Sequence, residues 1–435
     1  MQKVSPKACS FVTLIRFSAI TLVFLAACSS APPPEASSQP LAVQQVQAPV
    51  PQRPFTPESG RLHVASRHFY DATNHVWRWR GASQFLLFAR YLNGEDISPQ
   101  LDWLVDRGFN VLRVFGEVPA GFRSDEYGIT NYERPFARPD FDMKLRAFFE
   151  LLAGRGLRCE YTVLTYADSM DIMRAHVQRV YDIAASQWNV FVEVANEPEN
   201  NQIDPVAVMQ GVNRRGVLSA YGLDPARAGR EAWKSIGMLD YGTTHDLQRD
   251  LEHSAYNTKD AMDMQNAFGV PFVNDEPIGA IDPGHPHFAQ NGPPEIWGHI
   301  GGGGVRTVNR DVFISAAAIA YLYSAGYTYH FQDGVEGRVP KPSEAVQDGV
   351  ATALREVATF LPNDTQLGTP VEPSVGAGRA YGVALGDRAW AVVVPKPPST
   401  WAPAQVNGWR LDAVGPVPYI VRLAWSPDAD SQRGR

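Results

Sequence analysis

Cysteine is scarce in this chain. Of 435 residues only 3 are Cys, two of them within the first 28 positions. Cys159 therefore stands alone in the remainder, where no disulfide framework can form. It lies in the apolar-rich run Leu157-Arg158-Cys159-Glu160-Tyr161 and reads as a buried small hydrophobe. Long basic runs are missing too. The formal charge is −7, and loss of residues 1–27, which carry Lys3, Lys7 and Arg16 but no acid, takes it to −10. Such an acidic chain argues against nucleic acid or an anionic membrane surface as partner. No Gly-rich phosphate turn follows an early strand, which counts against a doubly wound open sheet. Gly301 to Gly304 lack the Lys-Ser/Thr of a phosphate loop and read as a flap or a surface excursion.

What is present is an ordinary globular composition, 44% hydrophobic and 20% charged, with aromatics at 11%. The aromatic content, including 10 Trp and 16 Tyr, suits a large core and is compatible with a sugar-stacking surface. Basic residues open the chain, followed by an apolar stretch from Ala19 to Ala27. That stretch is too short to span a bilayer and fits a signal-peptide core. It ends Leu25-Ala26-Ala27-Cys28, which resembles the lipobox of bacterial lipoproteins. The resemblance implies cleavage before Cys28, acylation of that residue and membrane attachment through it. Ser29 follows, which in such lipoproteins is compatible with the outer membrane or cell surface, the periplasmic face included. Ser29 to Pro57 then holds eight prolines among Ala, Gln, Ser and Val, the composition of an extended spacer.

From about Gly60, short apolar runs alternate with helical patterns, as in βα units around a parallel sheet. A helix is expected from Ser98 as N-cap with Pro99 at its first position, Leu101, Leu104 and Val105 on one face, and Gly108 as stop. Phe141, Leu145, Phe148 and Leu152 mark the next, closed by Gly154. Strands are expected at 77–82, 110–115, 157–166, 189–194, 216–221, 237–242, 271–274 and 326–331. Eight such units, ending near Phe360, fit a (β/α)8 TIM barrel. Beyond Thr365 the pattern turns to strand alternation at 379–385, 390–394 and 417–425. The expected organisation is a signal peptide over 1–27, a Pro-rich linker over 28–57, the barrel over 58–362 and a small C-terminal β module over 363–435.

Chemistry in such a barrel collects at the C-terminal strand ends. Strand four reads Val192-Glu193-Val194-Ala195-Asn196-Glu197-Pro198, and strand seven Phe272-Val273-Asn274-Asp275-Glu276-Pro277. Carboxylates at the mouth of apolar strands cost stability unless function keeps them. Two carboxyl groups across an anomeric carbon are what glycoside hydrolysis needs. The Asn-Glu-Pro of strand four and the Glu of strand seven resemble the clan A glycoside hydrolases, a TIM-barrel superfamily that includes family 5. The resemblance covers roughly residues 60–360. It implies Glu197 as acid/base, Glu276 as nucleophile and Asn196 as partner of the sugar 2-hydroxyl. Arg113 at the end of strand two matches the arginine that holds the nucleophile ionised. Tyr241 and His245 are the strand-six candidates. The chain departs from the pattern at strand eight, where Tyr329-His330-Phe331 stands in place of a tryptophan, leaving His330 and the loop residue Trp297 as candidate sugar contacts. It departs again at strand three, where Thr165-Tyr166 replaces a histidine.

The neighbours Glu193 and Glu199 have no partner at an opposite strand end, and Asp275 competes with Glu276. His285, His287, His245 and Asp246 could suggest a metal hydrolase, although His-x-His in an irregular loop is loose evidence. The expectation is thus a retaining glycosidase acting on extracellular poly- or oligosaccharide without a cofactor. A non-catalytic glycan-binding lipoprotein and a metal-dependent hydrolase are the alternatives. The sequence leaves substrate and oligomeric state open.

Overall fold

The computed structural model describes residues 60–118, 135–223, 236–245, 262–276, 279–280, 306–307, 310–329, 344–371, 374–375, 378–394, 409–415 and 420–425. All belong to one compact unit, Arg53–Arg435. Among the described residues no helix is long and apolar enough to cross a membrane.

The chain opens with a small antiparallel sheet, β1 (His63–Ala65), β2 (His68–Tyr70) and β3 (Val76–Trp77). The barrel follows as β4 (Trp79–Ser83), β5 (Val111–Phe115), β6 (Arg158–Leu164), β7 (Val190–Ala195), β8 (Ser219–Ala220), β9 (Gly242–His245) and β10 (Phe272–Glu276). A side pair, β11 (Gly279–Ala280) and β12 (Arg306–Thr307), precedes the last barrel strand, β13 (Gly326–Tyr329). The eight parallel strands run in the order β8-β7-β6-β5-β4-β13-β10-β9. The two end strands meet where the amides of Asp240 and Tyr241 donate to the Ser219 carbonyl at 2.9 and 3.3 Å. The Asp240 carboxylate accepts the Ser219 amide at 2.9 Å and holds Arg214 at 2.6 Å. A side chain thus completes the ring where the backbone ladder is short.

Helices α1 (Leu87–Leu92), α2 (Ser98–Asp106), α3 (Phe141–Ala153), α4 (Met170–Ala184), α5 (Pro205–Met209), α6 (Arg310–Tyr323) and α7 (Glu344–Phe360) surround it. In α3 the residues at helical spacing, Phe141, Leu145, Phe148 and Leu152, are all buried, and Gly154 caps its end. In α2, Leu101 and Leu104 are buried as expected, but Ile97 rather than Ser98 is the N-cap residue. The Ser98 amide turns back to the Asp96 carboxylate at 3.0 Å, and the helix starts one residue earlier than expected. Helix α4 begins with a side-chain cap, Ser169 Oγ accepting the Ile172 amide.

The C-terminal sheet consists of β14 (Thr369–Val371), β15 (Ser374–Val375), β16 (Gly378–Leu385), β17 (Arg388–Val394), β18 (Trp409–Val414) and β19 (Ile420–Trp425). It is antiparallel, ordered β14-β16-β17-β19-β18 with β15 on β16. It packs on α6, and the Tyr323 hydroxyl donates to the Gly382 carbonyl at 3.1 Å. The eight-stranded barrel with a small β module is the architecture the alternation of patterns implied.

Candidate active site

Inward positions of the barrel are stacked in layers. At the N-terminal end, Trp79, Val111, Phe191, Tyr241 and Val273 form an apolar plug with Phe69 of β2. The Trp79 and Phe191 rings lie 4.8 Å apart, and Phe69 stands edge-on to Phe191 at 5.7 Å. Two residues further along β5, β6, β7 and β10 the same inward face carries Arg113, Glu160, Glu193 and Asp275, all with no solvent exposure. An ionic layer in a barrel interior displaces the branched apolar side chains that usually fill it. Charges buried there persist only when paired and hydrogen-bonded.

Arg113 is the hub of this layer. Its Nε and Nη2 donate to the two Glu193 oxygens at 3.0 Å each, a fork-to-fork pair. Nη2 also donates to Asn196 Oδ1 at 2.9 Å. Nε lies 3.3 Å from Asp275 Oδ2 and 3.9 Å from Glu160 Oε2. Thr162 donates its hydroxyl to Glu193, and Tyr241 donates to Glu160 Oε1 at 2.8 Å. Burial first, then the neighbouring Glu193 and Asp275, push the Glu160 carboxyl well above the usual range, against the opposing pull of Arg113 and Tyr241. The Tyr241 hydroxyl is raised as well, chiefly by burial.

Above this layer sits Glu197, directly after β7. It is half-buried and has a left-handed backbone, φ +38°. That conformation is uncommon for a residue with a Cβ and is tolerated where surrounding structure fixes it. Here Asn200 and Asn201 do so. Their amides donate to the Glu197 carbonyl at 2.9 and 3.1 Å. Asn200 Nδ2 donates to Glu197 Oε2 at 2.5 Å, and Asn201 Nδ2 to the Asn196 carbonyl at 2.7 Å. Gly222, after β8, has φ +81°, and a Cβ there would meet the Ala195 carbonyl oxygen at 1.7 Å and Glu193 Oε1 at 2.9 Å. Only glycine permits so close an approach to the strand that carries Glu193 and Glu197.

Glu276 ends β10, and the ladder to β9 shifts register between Asn274 and Glu276, setting Glu276 beside His245. That shift interrupts strict alternation at the strand's end. Asp275 below it points inward to Arg113. The side chains of Glu276 and His245 lie outside the described residues, as do Trp297, His330, His285, His287, Asp246, Gly301 to Gly304 and Cys28.

The structure brings Arg113, Asn196 and Asp275 together and sets Glu197 beside them. Tyr241 does not join the mouth: it precedes β9 at the N-terminal end, its ring 5.8 Å from Phe69. Arg113, with no solvent exposure, acts on protein carboxyl groups rather than on a ligand. Glu193 faces the barrel interior, Glu199 is exposed, and Cys159 is buried, its thiol pushed up by burial. Sequence reasoning passed over Glu160, Glu117 and Asn200. Glu160 lies within β6, away from the strand end and the Asn-Glu-Pro triplet that mark Glu197, and so carries no such signal. Glu117, buried just past β5, accepts the Thr165 amide at 3.3 Å and lies 4.0 Å from His176 Nε2.

Glu160, Glu193 and Asp275 each bring one oxygen within 4.8 Å of the others, a spacing that could hold a metal ion. The Arg113 guanidinium already supplies positive charge to all three.

The molecule is therefore a (β/α)8 barrel with an ionic layer just beneath its mouth. No family model matches the chain, and no curated protein matches it. Among solved structures it is similar to a protein from Bacteroides vulgatus ATCC 8482 described provisionally as a glycoside hydrolase. The identity is 12%, with 85% of this chain and 83% of that one covered at a TM-score of 0.53. It is similar also to a glycoside hydrolase family 5 mannosidase from Rhizomucor miehei, at 12% identity, 70% and 99% coverage and TM-score 0.46. A β-glucanase from Saccharophagus degradans follows at 11% identity, 71% and 97% coverage and TM-score 0.45. At such identities the likeness is one of fold.

Proposed function

We propose that this chain is a retaining glycoside hydrolase, with Glu197 as acid/base and Glu276 as nucleophile, tethered to a bacterial membrane through acylated Cys28. One observation carries the catalytic reading. A single buried guanidinium, Arg113, binds Asn196 next to Glu197 and Asp275 next to Glu276, on strands from opposite sides of the barrel. The chain neighbours of both glutamates thus share one rigid group, which supports the reading. The strained backbone of Glu197 adds to this, since such strain concentrates where geometry serves chemistry.

In the proposed reaction Glu197, protonated, gives its proton to the glycosidic oxygen as the bond to the anomeric carbon breaks. The Glu276 carboxylate attacks that carbon from the other face. Water, deprotonated by Glu197, then displaces Glu276 and restores both groups. Two inversions give net retention. The Asn200 amide, donating to Glu197 Oε2, orients the carboxyl in both steps. Asn196, gripped through Oδ1 by Arg113, keeps its NH2 free of that contact to donate to a sugar hydroxyl.

The test is hydrolysis of aryl glycosides and of plant, fungal and bacterial polysaccharides. Glu197→Gln and Glu276→Gln should each lower the rate by several orders of magnitude, and the first-formed product should keep the anomeric configuration of the substrate. Normal turnover by both variants, or an inverted product, removes the assignment.

A further inference from the structure

The barrel interior holds a carboxyl group that the proposed reaction does not use. Three carboxyl groups, on β6, β7 and β10, converge on one guanidinium. Glu193 takes the fork of Arg113 and the Thr162 hydroxyl, and Asp275 stands 3.3 Å from Nε. Glu160 is the most remote, 3.9 Å from Nε, and its short contact is with the Tyr241 hydroxyl at 2.8 Å. The groups facing Glu160 are thus Arg113 on β5, Glu193 on β7, Asp275 on β10 and Tyr241 before β9, with the Cys159 thiol beside it on β6. All are excluded from solvent. Among the described residues Arg113 is the one cation facing the three carboxyl groups, a balance that favours a proton retained in the layer. It belongs to the coupled group, and the member with the weakest hold on the cation is the one that keeps it.

We propose that Glu160 is a positioning residue, held as a neutral carboxylic acid, that fixes where the Arg113 guanidinium points. Neutral, it receives the Tyr241 hydrogen bond at Oε1 and leaves Arg113 to Glu193, Asp275 and Asn196. Ionised, it competes for Nε and draws the guanidinium toward β6, loosening the contact to Asn196 and with it the seat of Glu197. The role rests on the proposed hydrolase reading, whereas the protonation state does not.

The decisive measurement is difference infrared spectroscopy on the full chain at neutral pH. A buried protonated carboxyl has a carbonyl band that ionised carboxylates lack. With Glu197→Gln as the starting chain, which removes the band of the proposed acid, the band should be present, Glu160→Gln should lose it, and Tyr241→Phe should move it to higher wavenumber by removing a hydrogen bond to the carbonyl. A Glu197→Gln spectrum without the band, or a band that survives when Glu160→Gln is added, overturns the proposal. In kinetics, Glu160→Gln keeps the acceptor for Tyr241 and cannot ionise. Its kcat should stay within about threefold of wild type at neutral pH. With a substrate whose leaving group needs no acid, activity of Glu160→Gln should persist to higher pH than with Glu160 intact. Glu160→Leu should lower kcat at least about tenfold with KM within about twofold, the mark of a displaced catalytic group. An alkaline limb unmoved by Glu160→Gln overturns the positioning role. If no glycoside is hydrolysed by the wild type, the hydrolase reading fails while the infrared result still decides the protonation of Glu160.

Discussion

His176, on α4, is a neutral imidazole locked behind the barrel wall. It stacks on Phe136 at 4.2 Å and meets Phe141 at 5.7 Å. Burial, with Arg179 adding to it, lowers its pKa from 6.5 to about 3, although Glu117 is only 4.0 Å away. The unfolded chain takes up this proton near pH 6.5 and the folded chain only near about 3. Stability is therefore complete above the higher value and drains away as the pH falls toward the lower, a loss of roughly 5 kcal/mol at its limit. His176→Phe should flatten the acid side of a plot of urea midpoint against pH. Identical slopes for variant and wild type would show that the imidazole titrates elsewhere. At this scale the sequence was legible wherever one residue's neighbours in the chain define its role. Asn196 and Glu197 stand out because a strand end, an amide and a proline follow one another. Glu160 and His176 do not, because their partners come from other strands and helices. Tyr241 shows the converse: it reads as part of a strand over 237–242, whereas it precedes β9.

Among elements, long amphipathic ones were read most closely and short ones least. Helix α3 announces itself through four apolar residues at helical spacing, all of which are buried. Strand β9 was expected at 237–242 and instead runs Gly242–His245. The run Met238 to Tyr241 is apolar enough to look like a strand, but pairing with β10 begins only at Gly242 against Phe272. The two- and three-residue strands β1 to β3 have too few positions to show a period. Strand β18 (Trp409–Val414) went unread, and its ladder shifts register between Leu411 and Ala413. The meeting of β8 and β9 carries a prediction. There the Asp240 carboxylate stands in for a missing backbone acceptor. Asp240→Ala should cost about 1–3 kcal/mol, since it strands the Ser219 amide and Arg214 together. Hydrogen exchange at Ser219 and Ala220 should quicken more than in β5 or β6. Uniform exchange across all barrel strands would mean the seam is no weaker than the rest.

For the whole molecule, the alternation of strands and helices was enough to read a (β/α)8 barrel and a β module after it. The ionic layer was not legible, because it is assembled from strands 80 residues apart, as Arg113 and Glu193 are. The proposed tether is also tested at this scale. Cys28→Ala should shift the chain from the membrane fraction to the soluble one while leaving turnover by the folded part unchanged. Persistent membrane association of the variant would remove the lipid anchor from the reading.

The aromatic plug has a consequence for traffic. Phe69 and Trp77 close the barrel floor, and Gly60, gripped through its carbonyl by Arg158 at 2.6 Å, brings the chain in on that same side. Among the described residues the floor is a wall of packed rings, so what enters by the mouth meets no passage there.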